Sequence, residues 1–244
     1  MNRTIWKTDS EIDIILRGYD DLGIISCGTC ANLSGTGGRA GLDDLKNRLK
    51  QKGKRIHLAR VIIACCPEEI MRRTLTANRR ALRKCRALII LSCAGGIKAA
   101  NSCRPDIPVL SILDSVGSAA VSCTDPLLAQ SLCRGCGHCV LTYTAGICPL
   151  SECPARSKYG PCKAYEENTP HCVMDSGREC AWKVILSRGG SLKDLAQIRE
   201  LHGSGTRRAI PSLPRPAKRR LWRSLLAWHA ARLQILERII RPFK

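Results

Sequence analysis

Between residues 22 and 114 the chain alternates short apolar runs with segments of helical periodicity. The apolar runs are LGIIS, ARVIIA, ALIILS and PVLSILD, and the helical segments are GLDDLKNRLKQ and PEEIMRRTLTANRRALRK. Continuous apolar strands joined by helical crossovers are typical of a parallel sheet covered on both faces. The pattern therefore predicts an α/β domain over residues 1–120, with a small parallel sheet of Rossmann-like or flavodoxin-like type.

Cysteines follow three of these predicted strands. Cys27 and Cys30 come after LGIIS, Cys65 and Cys66 after ARVIIA, and Cys93 after ALIILS. Because the carboxyl ends of parallel strands meet at one edge of a sheet, we expect these thiols to lie close together. The first two alone are also compatible with a thiol oxidoreductase pair. The addition of Cys66 and Cys93 favours a four-thiolate site for a cluster.

The segment 121–204 has a different character and is predicted to be a loop-rich metal-binding domain. It holds nine of the sixteen cysteines, with many glycines and prolines and little apolar periodicity. Its sharpest motif places three thiols at two-residue intervals, followed by a Cys-Pro: Cys133, Cys136, Cys139 and Cys148. Such spacing lets a loop wrap a cubane, so a [4Fe–4S] cluster is the predicted occupant. A zinc knuckle made by the same thiols is the alternative.

Four further cysteines follow at wider intervals, namely Cys153, Cys162, Cys172 and Cys180. In a stretch with little apolar material, they predict a closed structural zinc site whose binding energy supports folding. The alternative is that some of them are buried free thiols that pack as small hydrophobic side chains.

The last 40 residues, 205–244, form a basic linker followed by a predicted amphipathic helix. They contain eleven Lys and Arg against one Glu, about half of the net charge of +20. An apolar stripe including Trp222 and Leu226 recurs at close to 3.6 residues between the basic positions. Such a helix fits an anionic membrane surface or an acidic partner, and packing on its own body is the alternative.

The sequence also indicates where the protein is located and argues against one class of partner. Residues 1–21 carry acids and lysine where a signal peptide needs an apolar core, and no run of 18 apolar residues follows. We therefore expect a cytoplasmic protein, peripheral to the membrane at most, whose thiols are reduced. Aromatic residues make up only 4% of the chain, which leaves little surface for stacking bases.

Several stretches of the chain resemble the MetV-type small subunit of the multi-subunit methylenetetrahydrofolate reductases, including its zinc-binding-like C-terminal region. The matching stretches are SCGTC (26–30), LIILSCAGGI (88–97), CRGCGHCVLTYTAGICPLSECP (133–154), YGPC (159–162) and CAWKVILSRGGSLKDL (180–195). Members of the family tend to have a cysteine where Ser34 stands here, so that Cys65 or Cys66 would have to complete the first site.

The resemblance implies a subunit that carries one or two [4Fe–4S] clusters and zinc and is bound to a flavin-containing barrel subunit. Electrons would pass from a donor protein through this chain to that flavin, which implies an electron-transfer and assembly role without catalytic residues. A zinc-ribbon nucleic-acid-binding protein is the alternative, favoured by a pI of about 9.7. The concentration of the excess positive charge in the tail argues against this alternative.

Overall fold

The computed structural model describes residues 2–103, 105–118 and 133–203, together with positions 222, 225, 226, 228 and 229. Cys123 and most of the predicted C-terminal helix lie outside these residues. The elements, in chain order, are β1 (Asn2–Trp6), α1 (Asp9–Ile15), β2 (Asp21–Cys27), α2 (Cys30–Ser34), α3 (Gly38–Gln51), β3 (Arg55–Ile62), α4 (Glu68–Ala77), α5 (Arg79–Leu82), β4 (Ala87–Leu91), α6 (Ala94–Ser102), β5 (Val109–Leu110), β6 (Leu113–Ser118), α7 (Pro149–Glu152), β7 (His171–Cys172), β8 (Asp175–Glu179), α8 (Ala181–Ser187) and α9 (Leu192–His202).

The main sheet has four parallel strands in the order β3-β2-β4-β5, which confirms the predicted α/β class. Its central strands β2 and β4 are almost wholly buried, as their continuous apolar sequences require. The crossovers from β2 to β3 and from β3 to β4 run in opposite directions across the sheet. Right-handed connections then put α3 on one face and α4 on the other. The carboxyl ends of β2 and β4 thus meet at a topological switch point, where such sheets bind their ligands.

A second, two-stranded sheet was not expected from the sequence. β1 pairs antiparallel with β6, so the predicted strand PVLSILD is divided between the end of the main sheet and this ribbon. The helices α1 and α6 were also not predicted. The helix α6 begins with the glycine pair of AGGIKAANS. Glycine has a low helix propensity, so the helix was not predicted, although Ile97 and Ala100 form a buried apolar face on it.

Part of the cysteine-rich segment shares the core of the α/β body. Leu141, Trp182, Ile185 and Leu195 belong to the same cluster of buried side chains as the strands of the main sheet. Trp182 is 1% exposed, and its indole N–H donates to the Ser157 carbonyl at 2.9 Å. The helices α8 and α9 are therefore held by ordinary apolar packing. The loops before them contain the thiols.

Within the described positions, the structure contains no helix long and apolar enough to cross a membrane. Of the predicted tail helix it describes five helical positions, among which Trp222 and Leu226 are mostly exposed.

Candidate functional site

The first group of thiols lies at the carboxyl end of the main sheet. Cys27 ends β2, Cys30 begins α2, and Cys93 caps the N-terminus of α6. Cys65 follows β3 and is fully buried, and its thiol hydrogen-bonds with that of Cys27. Cys30 and Cys93 form a second hydrogen-bonded pair of thiols. The predicted meeting of strand-end cysteines is thus present in the structure.

These hydrogen bonds polarise the two pairs of thiols. Donation by Cys65 lowers the pKa of Cys27 to about 5, and donation by Cys30 lowers the pKa of Cys93 to about 6. The partner thiols change in the opposite direction. The hydrogen bond to Cys93 raises the pKa of Cys30, and burial raises that of Cys65. Thiolates are the form that binds metal, so the hydrogen bonds favour the metal-binding form at Cys27 and Cys93.

Cys66, the predicted fourth member of this group, lies beside the start of α6. A Cβ atom added to Gly95 would sit 3.3 Å from the Cβ of Cys66 and 3.8 Å from the Sγ of Cys93. Cys65 and Cys66 are therefore both near the rim, and it is Cys65 whose thiol contacts Cys27. Ser34 has another role, because its hydroxyl accepts from the Thr4 N–H and donates to the Cys30 carbonyl, both at 3.0 Å.

The second group of thiols comes from the motif that begins at Cys133. Its four cysteines line one cavity that is partly open to solvent, together with Lys158, with Ala94 and Lys98 of α6 and with Ser115 of β6. Positive φ angles at Gly135 (58°) and Gly137 (74°) allow the sharp turns between the thiols. The ammonium of Lys158 donates to the Cys136 sulfur at 3.7 Å. The structure therefore brings Cys133, Cys136, Cys139 and Cys148 together around one space.

The first and second groups are neighbours. Burial raises the pKa of Cys133 to about 11, and the nearby Cys93 adds to this effect, as do Cys148 and Cys136. The loop is joined to the α/β body through the Gly137 N–H, which donates to the Ser115 carbonyl at 3.0 Å, and through an antiparallel bridge of Cys136 with Val116. The strand β6 thus places the loop beside the switch point of the main sheet.

A buried ion-pair network supports this loop from below. Lys7 donates to the Glu11 and Asp114 carboxylates at 2.7 and 2.8 Å, and to the Cys139 carbonyl at 2.7 Å. Burial opposes the charged form of Lys7, but the two carboxylates outweigh it and raise the pKa above its usual range. Sequence reasoning missed this network. The sequence does contain a hint of it, because Glu11 follows Lys7 by four residues and the two can pair on one turn of a helix.

The third group is less complete than predicted. Cys162, Cys172 and Cys180 line a smaller pocket, with Glu166 and His171 also in its wall. Cys153 is not among the residues that line it, and is buried at 7% exposure in the main apolar cluster. The strands β7 and β8 form the short hairpin that carries Cys172.

None of the three groups has the tight arrangement of a single-metal site. Across the described ranges, no set of three or more Cys, His, Asp or Glu side chains is placed so that it could hold one metal ion. Two of the remaining cysteines pack as expected for free thiols. Cys85 is buried and donates to the Ala81 carbonyl at 3.3 Å, whereas Cys103 is half-buried beside the start of α4.

The structure thus joins a cysteine-rich segment to an α/β body. Residues 119–206 match the family described as methylene-tetrahydrofolate reductase C terminal. The match confirms the predicted resemblance over the segment that contains the second and third thiol groups. No curated protein matches the chain.

Proposed function

We propose that this chain is an electron-transfer and assembly subunit of a methylenetetrahydrofolate reductase. The family match supports the relation to that enzyme. The observation that carries the redox role is the convergence of Cys133, Cys136, Cys139 and Cys148 around one cavity, next to Cys93 of a second thiol group. Four thiolates are the usual ligand set of a [4Fe–4S] cluster, which carries single electrons.

The cofactors follow from the chemistry of the donor sets. The cavity group would hold one [4Fe–4S] cluster, and the rim group of Cys27, Cys30 and Cys93 would hold a second with Cys65 or Cys66 as its fourth ligand. The sulfur and imidazole donors of the third pocket suit zinc, with Glu166 or His171 beside Cys162, Cys172 and Cys180. Cys153, the fourth zinc ligand predicted from sequence, is not among the residues that line this pocket.

The proposed partner is a flavin-containing barrel subunit that reduces methylenetetrahydrofolate, with a separate protein as electron donor. The chain order of the strands across the main sheet is 2-1-3-4, which is the beginning of the flavodoxin-like order and supports that finer fold assignment. The protein would be cytoplasmic and would associate with an anionic membrane or an acidic subunit through residues 205–244. The exposed Trp222 and Leu226 of this basic tail support such a contact.

The test is anaerobic purification of the full chain, followed by analysis of iron, sulfide and zinc and by EPR of the reduced protein. We expect iron in multiples of about four per chain. Cys136→Ser should remove about four irons, whereas the matched control Cys103→Ser, outside all three thiol groups, should keep them. Zinc without iron would contradict the proposal and favour the zinc-ribbon alternative.

A further inference from the structure

Lys7 is buried to a degree that is unusual for lysine. Its side chain is 0% exposed, and all three N–H donors of the ammonium are used by Glu11, Asp114 and the Cys139 carbonyl. Two of these acceptors are the carboxylates that balance its charge. The third is a main-chain oxygen 132 residues away, in the loop that lines the cavity. Charge balance alone does not require that third bond.

The Cys139 backbone is held on both sides by the same ion pair. Its carbonyl accepts from Lys7 at 2.7 Å, and its N–H donates to the Asp114 carboxylate at 2.7 Å. The same Asp114 oxygen accepts from Lys7 at 2.8 Å. A main-chain N–H and C=O that both have charged partners lose their freedom to rotate, so the direction of the Cys139 side chain is set as well.

A second contact reaches the loop from the other end of the chain. The remaining oxygen of Glu11 contacts His202 Nε2 at 3.0 Å, and His202 Nδ1 contacts the Tyr159 hydroxyl at 2.9 Å. The His202 ring lies 4.3 Å from the ring of His138, between Cys136 and Cys139. The network thus joins α1, β6 and the end of α9 beneath a single loop.

The alternative is that the ion pair of Lys7 with Glu11 and Asp114 only stabilises the fold. A buried ion pair contributes little net stability compared with apolar side chains of the same shape, so stability alone does not account for its presence here. What an apolar group cannot supply is a directed hydrogen bond to a backbone carbonyl. The observed geometry provides that bond and places it on a cysteine of the cavity.

We propose that Lys7, with Asp114, is a positioning residue that fixes the Cys139 backbone so that the cavity of Cys133, Cys136, Cys139 and Cys148 is formed before any group binds. That this cavity holds a cluster rests on the function proposed above. That the loop is already formed does not rest on it, because the protection of its amides can be measured in the chain without iron.

The experiment measures amide hydrogen exchange in the full chain after anaerobic removal of iron. Lys7→Met should speed exchange at Cys139 and its loop about tenfold, the effect of losing one hydrogen bond to a charged group. Lys52→Met, which removes an exposed pair with Asp13, is the matched control and should leave the loop unchanged. If Lys7→Met speeds exchange equally throughout the chain, the residue acts on stability alone and the proposal is overturned.

A second variant tests the same role in case Lys7→Met, which leaves two buried carboxylates without their cation, fails to fold. Combining Lys7→Met with Glu11→Gln and Asp114→Asn removes the buried charges and keeps the side-chain shapes, so the body should stay folded. The loop should still exchange faster, and reconstituted iron should be lost faster than from the wild type. Loop protection equal to the wild type in this variant would overturn the positioning role. A wild-type chain that binds no iron would instead remove the proposed function, while the exchange result would still decide the role of Lys7.

Discussion

The two thiol-bearing regions of this protein obtain their cysteine arrangement in opposite ways. In the α/β body, the adjacent parallel strands β3, β2 and β4 bring Cys27, Cys65 and Cys93 to one edge, so the fold places the thiols. In residues 133–180 the elements are short, and most of the cysteines lie in loops around two pockets. In the loops of residues 162–180 we expect a bound metal to hold the chain, whereas Lys7 and Asp114 already hold the loop at Cys139. A strand-end cysteine is therefore placed by the strand pattern, whereas a loop ligand can be predicted only from a close spacing such as that of the Cys133 motif.

The two regions are nevertheless connected, through a shared apolar cluster and a buried hydrogen bond. Trp182 and Ile185 of α8 belong to the same apolar cluster as β2 and β4. Glu11 and His202 join α1 to the end of α9 at 3.0 Å. The cysteine-rich segment is thus framed by helices that pack on the body, and only the loops of residues 162–180 are expected to depend on metal.

Metal removal is expected to have the largest effect. The binding free energy of a structural zinc site is on the order of 10 kcal/mol and is coupled to folding of the surrounding loops. Removing zinc with a chelator should therefore expose the amides of residues 162–180, while β2, β4 and α8 stay protected. Hydrogen exchange with and without the chelator measures this.

The matched control for zinc is a variant that has already lost a ligand. Cys172→Ser should show fast exchange in residues 162–180 from the start and little further change with the chelator. Unchanged protection of the wild-type loops after zinc removal would show that their fold does not depend on metal.

Cavities in the shared apolar cluster should have the next largest effect. Ile90 in β4 and Ile185 in α8 are both fully buried. Replacing either by Ala removes the same number of methyl and methylene groups, and each substitution should cost about 2–5 kcal/mol. Urea unfolding followed by far-UV circular dichroism should show one transition shifted to a similar extent by Ile90→Ala and Ile185→Ala. A wild-type midpoint in Ile185→Ala would separate α8 from the cooperative unit of the sheet.

The fold of the body could be predicted where apolar runs are continuous. The runs LGIIS and ALIILS became the central strands β2 and β4, because burial on both faces leaves an unmistakable pattern. The strand β1 could not be found in the same way, since NRTIW is mostly polar and its pairing with β6 depends on a contact more than a hundred residues away.

The candidate sites show the same division. The motif beginning at Cys133 was found because its close spacing constrains the loop, and its four thiols do meet around one cavity. The wide spacing of the last four cysteines carries no such constraint, and Cys153 lies apart from the pocket of the others. Lys7 was missed because two of its three partners, Asp114 and the Cys139 carbonyl, lie more than a hundred residues away, and Glu11 four residues on does not by itself indicate a buried lysine.

The smallest expected effect compares two helix caps, one in each region. The Thr8 hydroxyl accepts from the Glu11 N–H at 3.3 Å at the start of α1, and the Ser191 hydroxyl accepts from the Asp194 N–H at 3.2 Å at the start of α9. Each bond satisfies an N–H that has no partner within its helix. Thr8→Ala and Ser191→Ala should each cost about 1 kcal/mol, which lowers the melting temperature by about 2–4 °C in a chain of this size.

The two caps differ in what lies beside them, and this makes the pair informative. Ser191 also donates its own N–H to the Tyr143 carbonyl at 3.0 Å, in the segment that follows Cys139. The Ser191→Ala substitution keeps that backbone bond, so each variant removes one side-chain acceptor, and Thr8→Ala removes in addition only a methyl group of an exposed residue. Because α1 and α9 meet through Glu11 and His202, we expect equal shifts in calorimetry of the metal-loaded chain. After zinc removal the shifts should remain equal, since neither cap lies in the loops of residues 162–180. A shift in Ser191→Ala that disappears on zinc removal, while that of Thr8→Ala persists, would show that α9 depends on the metal loops and that the two regions are separate folding units.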